Sequence, residues 1–397
     1  MIIRRMPMGL WNRLGRRKGE ETDASIDAEE DARIAGIAES LESEDIVTRW
    51  RAVRALGEIG EAAVLPLMKG LGDEDWCVRR EAAVALGRMG PAAIPHLIGT
   101  FSHADDTMRQ DAVRALRSLG SPAADALKEA AHYGDAAVRR GALEALGGFP
   151  AGDTFLEALA DEDPGVRRCA IAGVRSSRDE RGIKGVVALL RDPDEQVRAL
   201  AADALAAFGE TAVPSCIEAL GDDEEDFRRR SAAVLARIGV PAVSPLSAAL
   251  GDERPPVRRW AARVLGEIRA GEAIAPLIEA LADPDREVRW HAGGALASIG
   301  APVVAPLIET LGNGDEAARH RAMEALWRVG GVAAPALIDL TGGGDAESRR
   351  RSAIVLGEIG APGATEALQA LLQDADRDVR REAFEALEAI KARGNLA

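Results

Sequence analysis

Residues 285–311 read DREVRWHAGGALASIGAPVVAPLIETL, and this stretch decides the fold. Its Arg289 has counterparts at Arg49, Arg79, Arg109, Arg139, Arg167, Arg198, Arg228, Arg258, Arg319, Arg349 and Arg380. Successive spacings along the whole ladder are 30, 30, 30, 28, 31, 30, 30, 31, 30, 30 and 31 residues. A fixed period of this length marks a repeat array, and it outranks the reading of any single element. With the residue before each arginine as position 1, position 5 is Ala or Ser, as at Ala52, Ala82, Ser231 and Ala383. Position 9 is Leu except at Val174, and position 12 is mostly large and apolar (Ile59, Met89, Phe208, Ile268, Ile390). At ~100° per residue, positions 1, 5, 8, 9 and 12 share one stripe, so the spacing predicts an amphipathic helix. Position 13 is often glycine (Gly60, Gly90, Gly120, Gly209, Gly239, Gly300, Gly330, Gly360), placed to end that helix with a left-handed residue.

A second helix follows each short link. Its signature is P-L-[IM]-x-[AGT]-L, at Pro66–Leu71, Pro276–Leu281 and Pro306–Leu311. The proline sits near the helix start, where a missing N–H costs least. Asp73, Asp161, Asp192, Asp222, Asp252 and Asp283 then lead into the next repeat and are expected to cap it. Two helices in ~30 residues cannot bury their apolar faces alone, so neighbouring pairs must stack. The expectation is an all-α fold, a right-handed α-α superhelix of about twelve two-helix repeats.

The pattern D-x-x-V-R-x-x-A-x-x-A-L-G-x-I-G followed by A-x-x-P-L-I-x-A-L resembles the HEAT-like repeats of the phycobilisome-lyase type. Asp285–Gly300 and Ala301–Leu311 carry the resemblance closely, and it extends from about residue 30 to 391. It is specific for fold and weak for function, because that family holds chromophore lyases, an iron hydroxylase, DNA glycosylase relatives and plain scaffolds. The resemblance also implies that the second helices line the concave side of the array.

The domain reading is a basic then acidic tail over 1–31, expected to be disordered, a solenoid over 32–392, and a short tail over 393–397. Ala32–Ser43 reads as a lone second helix opening the stack, and Asp378–Ala392 as a first helix closing it, with polar Arg381, Glu382, Glu385, Glu388 and Lys391 outward. Repeat five is irregular, since Ser176–Asp179 replace the usual glycine ending, and a local bend is expected there.

Composition narrows the function classes. Aromatic residues make up 3% of the 397 residues and the net charge is −15, which disfavours bulk attraction to nucleic acid or an anionic membrane. Cys77, Cys169 and Cys216 are odd in number and far apart, which argues against a disulfide framework and fits a cytoplasmic protein. No signal peptide and no membrane-spanning run is expected. The N-terminal Met1–Lys18, with Arg4, Arg5, Arg13, Arg16, Arg17 and Lys18, is a basic segment ahead of an acidic linker.

Three rows of side chains deserve weighing as sites. The ladder arginines sit at the seam between repeats, where a structural pairing with an inter-repeat carboxylate such as Asp75, Asp163, Asp194 or Asp285 is expected. Position 3 holds Arg80, Arg140, Arg168, Arg229, Arg259, Arg350 and Arg381, a basic row that either meets phosphates or is a solvated face balanced by nearby acids. In the second helices the x of the signature reads Lys69, Gly99, Lys128, Glu157, Ala188, Glu218, Ala248, Glu279, Glu309, Asp339 and Gln369. From Glu157 onward this row is acidic and suits a basic or helical partner. Trp50 and Trp290 (with Trp327) are candidate anchors on the exposed arc, while Trp76 and Trp260 read as packing residues.

Catalytic signals are poor. His96, His103, His132, His291 and His320 form no His-Glu dyads of the kind the deoxyhypusine hydroxylase carries, and Ala292 follows His291. No cofactor, metal or catalytic constellation is expected. The reading is a monomeric protein–protein interaction scaffold, with a hydroxylase-like or bilin lyase-like enzyme as the rival. Nucleic-acid binding through the arginine row is a further alternative, and it is not favoured.

Overall fold

In the computed structural model, residues 24–103 and 105–394 are described, and no strand occurs among them. They divide into two compact units, one running up to Val186 and including Asp194–Leu200, the other comprising Val187–Pro193 and Ala201 onward. The irregular repeat five, whose first helix ends on left-handed Arg178 (φ 51°), lies just ahead of this boundary.

Each ladder arginine lies in a first helix, as in Ile46–Ile59, Trp76–Leu86 and Asp106–Leu119 of the first unit. Pro255–Ile268, Arg286–Ile299 and Glu316–Val329 are examples in the second. Short second helices alternate with them, such as Val64–Leu71, Val213–Ala219, Val243–Ala249, Ile274–Ala280 and Val304–Asn313. Within each unit the first helices pack on the first helices of neighbouring repeats. Each second helix packs against the first helix that follows it. That is the nearest-neighbour stacking expected of hairpins that cannot close a core alone.

The apolar stripe is the core. Position 9 is buried in both units, from Leu56 and Leu86 to Leu265, Leu296 and Leu356. Each such leucine contributes about 1.5–3 kcal/mol relative to an exposed one. Position 5 is buried along with it, and its small side chains let neighbouring helices approach. Position 13 ends the helix at positive φ, but the left-handed helical form expected is met at Gly360 (φ 64°, ψ 32°), whereas Gly239 and Gly300, at φ 75° and 80°, have ψ −133°, a conformation open to glycine. Arg269 is itself left-handed helical, at φ 58° and ψ 37°, without a glycine's freedom.

Two boundaries differ from the sequence reading. The opening helix spans Ala24–Glu39, starting inside the stretch expected to be tail, because its Ala and Glu residues are good helix formers. The closing helix runs Arg377–Gly394, past the expected end at 392. The basic segment Met1–Lys18 lies outside the described residues. One segment, Glu195–Ala219, is long and apolar enough to cross a membrane by length and composition alone, contrary to expectation. Its alanines raise the hydropathy, and here it is divided into helix Glu195–Phe208, a 3-10 turn and helix Val213–Ala219.

Close approach between successive first helices makes a testable demand on Gly266. A Cβ there would lie 2.7 Å from the Cα of Ala295 and 2.8 Å from its Cβ. Alanine in a helix interior normally gains about 1 kcal/mol over glycine, but overpacking against backbone should reverse the sign. Gly266→Ala is expected to lose about 1–3 kcal/mol in urea unfolding. Gly271→Ala, with nothing within 4 Å, is expected to be near neutral.

Candidate partner-binding surfaces

Four of the ladder arginines, Arg49, Arg139, Arg258 and Arg349, each form a clamp between consecutive inter-repeat loops. Arg258 donates through Nη1 to the carbonyls of Asp252 and Glu253, at 2.8 and 3.1 Å, in the loop ahead of its own helix. Through Nε and Nη2 it donates to both carboxylate oxygens of Asp283, at 2.7 and 3.0 Å, in the next loop. Arg49 and Asp73, Arg139 and Asp161, and Arg349 and Asp374 repeat this bidentate pairing. The planar guanidinium fork suits two parallel bonds to one carboxylate.

The two loop aspartates therefore exchange the roles expected of them. Asp75, Asp163 and Asp285 cap the following helix, accepting from Val78, Val166 and Val288 N–H groups. Asp73, Asp161 and Asp283, two residues earlier, take the arginine and also accept the N–H of the capping residue, at 2.8 Å in each case. A side chain two residues ahead of the cap folds back as an Asx turn and faces the preceding repeat. The cap itself faces its own helix.

Position 3 is largely neutralised. Arg259 pairs with Asp285 and Glu287, Arg168 with Asp194, and Arg350 with Glu347 and Glu382. Arg229 and Arg381 pair with acids on their own helices. Arg80 and Arg140 make no ion pair among the described residues. Asp285 is held at about 2, chiefly by the Arg259 hydrogen bond and then, against the cost of burial, by N–H groups of its helix.

The second-helix row keeps its charge exposed. Glu218, Glu279, Glu309 and Asp339 in the second unit are exposed and make no ion pair within 4 Å among the described residues. Glu157 in the first unit is exposed too, with the Nδ1 of His132 at 3.7 Å. Buried Leu127 and Ala130 fix the register of helix Ser121–Tyr133, so Glu129 occupies the place expected for Lys128. The row is therefore acidic one repeat earlier than the sequence pattern suggested. The same test puts Ala370, not Gln369, in the last place.

The tryptophans divide differently from expectation. Trp290 is 61% exposed, edge-on to His291, whereas Trp50 is half-buried under the Arg54 guanidinium. Trp76, read as a packing residue, is 60% exposed because it stands in the first turn of its helix, off the apolar stripe. The cysteines are free thiols, and burial pushes Cys216 up to about 12, which makes it a poor nucleophile. Among the described residues no group of three His, Cys, Asp or Glu side chains is placed to hold a metal.

HEAT repeats match residues 34–117, 152–237, 183–253, 213–283, 243–327, 274–354 and 334–396. The chain belongs to the HEAT-repeat family. No curated protein matches it in sequence. Among solved structures, this HEAT-repeat chain is similar to an engineered protein, 22% identical, covering 90% of this chain and 98% of that one at a TM-score of 0.26. The karyopherin Kap121p bound to the extreme C-terminus of the protein phosphatase Cdc14p is 13% identical at a TM-score of 0.42. That match covers 91% of the chain and 50% of Kap121p, so the chain spans half its length. Importin beta is 15% identical over 90% of this chain and 67% of its own, with a TM-score of 0.34.

Two predictions follow from the clamp. Arg258→Ala strands the buried Asp283 carboxylate and is expected to cost about 3 kcal/mol in urea unfolding; a variant as stable as the wild type contradicts the clamp. The second concerns acid. Asp285 has a depressed pKa, so its stabilisation is present above 3.8 and is lost as pH falls towards about 2. Arg259→Gln is expected to lower stability at neutral pH and to flatten the further decline over that acid window.

Proposed function

We propose that this HEAT-repeat protein is a non-catalytic scaffold whose exposed second-helix carboxylates bind a basic, helical segment of a protein partner. One observation carries this reading: Glu279, Glu309 and Asp339 occupy equivalent exposed positions in consecutive repeats and are left without ion pairs, while inter-repeat acids such as Asp283 and Asp285 are engaged internally. Neighbouring helices stand about 8–10 Å apart. A partner helix brings side chains back to one face about every 10 Å, at seven-residue intervals. The two spacings match, so lysines or arginines one heptad apart meet successive carboxylates. Such pairing across a solvated surface gives steering and register more than raw affinity.

The charge pattern favours a protein partner over nucleic acid. The exposed row is negative, and most position-3 arginines have partners within the chain. In this proposal the protein acts as a monomer in the cytoplasm, on the concave side expected of HEAT-like arrays, and its repeats are of the phycobilisome-lyase type that Asp285–Leu311 resembles. None of His96, His103, His132, His291 and His320 is followed by Glu, so the sequence lacks the His-Glu dyads that the hydroxylase alternative needs.

A dye-labelled amphipathic peptide carrying lysines at heptad spacing tests the reading by fluorescence anisotropy. Binding should weaken steeply with salt, and the double variant Glu279→Lys, Glu309→Lys should lose about tenfold or more through like-charge repulsion. Equal affinity of that variant and the wild type would sink the proposal.

A further inference from the structure

The repeats serve as controls for one another, and the junction between repeats two and three can be set beside a fully paired one. Between repeats eight and nine, Asp283 receives Arg258 while Asp285 and Glu287 receive Arg259. The equivalent junction between repeats two and three has His103 where Asp283 stands and Thr107 where Glu287 stands. Asp105 matches Asp285 in sequence, but its carboxylate accepts from the Met108 N–H and the Thr107 hydroxyl.

The arginines remain although the acids are gone. Arg80, the counterpart of Arg259, makes no ion pair or hydrogen bond among the described residues. Arg79, the counterpart of Arg258, still donates to the Asp73 and Glu74 carbonyls at 2.8 Å. Its buried Nε, however, lacks a hydrogen-bond partner and stands 3.4 Å from Asp111. Asp111 is buried and also takes Arg114 at 2.5 Å, so it serves two guanidinium groups while Arg80 is left without a carboxylate.

These groups line an open cleft of about 400 Å³ between helices Trp76–Leu86 and Asp106–Leu119, with exposed Trp76 among its walls. We propose that the cleft binds an acidic peptide segment of a partner. In this arrangement a carboxylate of the peptide supplies to Arg80 the charge that Asp285 and Glu287 supply to Arg259, and Trp76 covers the adjoining apolar stem. Arginine forks favour planar carboxylates, and an overall charge of −15 repels a long polyanion but not a short acidic stretch. The site uses other helices and the opposite charge from the second-helix row, and it stands whether or not that row binds a basic segment.

The test is anisotropy with a dye-labelled, end-blocked hexapeptide of glutamate at low ionic strength. The wild type should bind saturably. Arg80→Ala should weaken binding about tenfold or more, the loss expected for hydrogen bonds to a charged group. Thr107→Glu restores the missing carboxylate in a helix first turn, where it is stabilising. It should therefore abolish binding while leaving the melting temperature equal or higher. Failure of the wild type to bind, or wild-type affinity in Thr107→Glu, would overturn the proposal. An equal loss in Arg381→Ala would point to bulk charge, and displacement by inorganic phosphate more effective than by unlabelled peptide would reassign the cleft; either result also overturns it.

Discussion

In the repeats of Arg49, Arg139, Arg258 and Arg349, one guanidinium holds two consecutive loops at once. Its Nη1 satisfies carbonyls of the loop before its helix, groups that would otherwise be left unpaired against a neighbouring helix. Its Nε and Nη2 grip an aspartate of the loop after. In the Arg258 clamp, donors and acceptors are shielded from water, so the pair fixes where the next hairpin sits. Helix packing alone does not specify this. Apolar stripes of alanine and leucine can slide, but a bidentate fork cannot. The constraint is strictly local, and within each unit order passes from neighbour to neighbour as in other repeat arrays.

What remains on the surface follows from what the clamps consume. Acids of the inter-repeat loops are drawn inward, either to ladder arginines or to helix N-termini, and several position-3 arginines are tied to them. Much of the charge left free in equivalent positions lies on the second helices, at Glu218, Glu279, Glu309 and Asp339. The unpaired surface charge is thus what internal pairing leaves over. The junction around Trp76 shows the converse case, in which an acid is missing and cation is left over.

The period, the helix pairs and the buried stripe were all legible in the sequence, because each depends on one side chain recurring about every thirty residues. The division of labour between Asp283 and Asp285 was not. Both are loop aspartates, and only the backbone direction at each decides which faces its own helix and which the preceding repeat. The neutralisation of Arg259 was hidden for a similar reason, since its acids lie 26 and more residues away in the chain. Lys128 was given the place of Glu129 in the second-helix row because the helix beginning at Ser121 is longer than its counterparts and hides the register that Leu127 fixes. Trp76 was misread because exposure in the first turn depends on the approach of the loop, which periodicity does not report.

Hydrogen–deuterium exchange of Asp283→Asn against the wild type tests the clamp most directly. If the aspartate couples two repeats, amide protection should fall in both Pro255–Ile268 and Arg286–Ile299 and stay unchanged in distant helices of the same unit. Unaltered protection in both helices, or loosening confined to Arg286–Ile299, would contradict it.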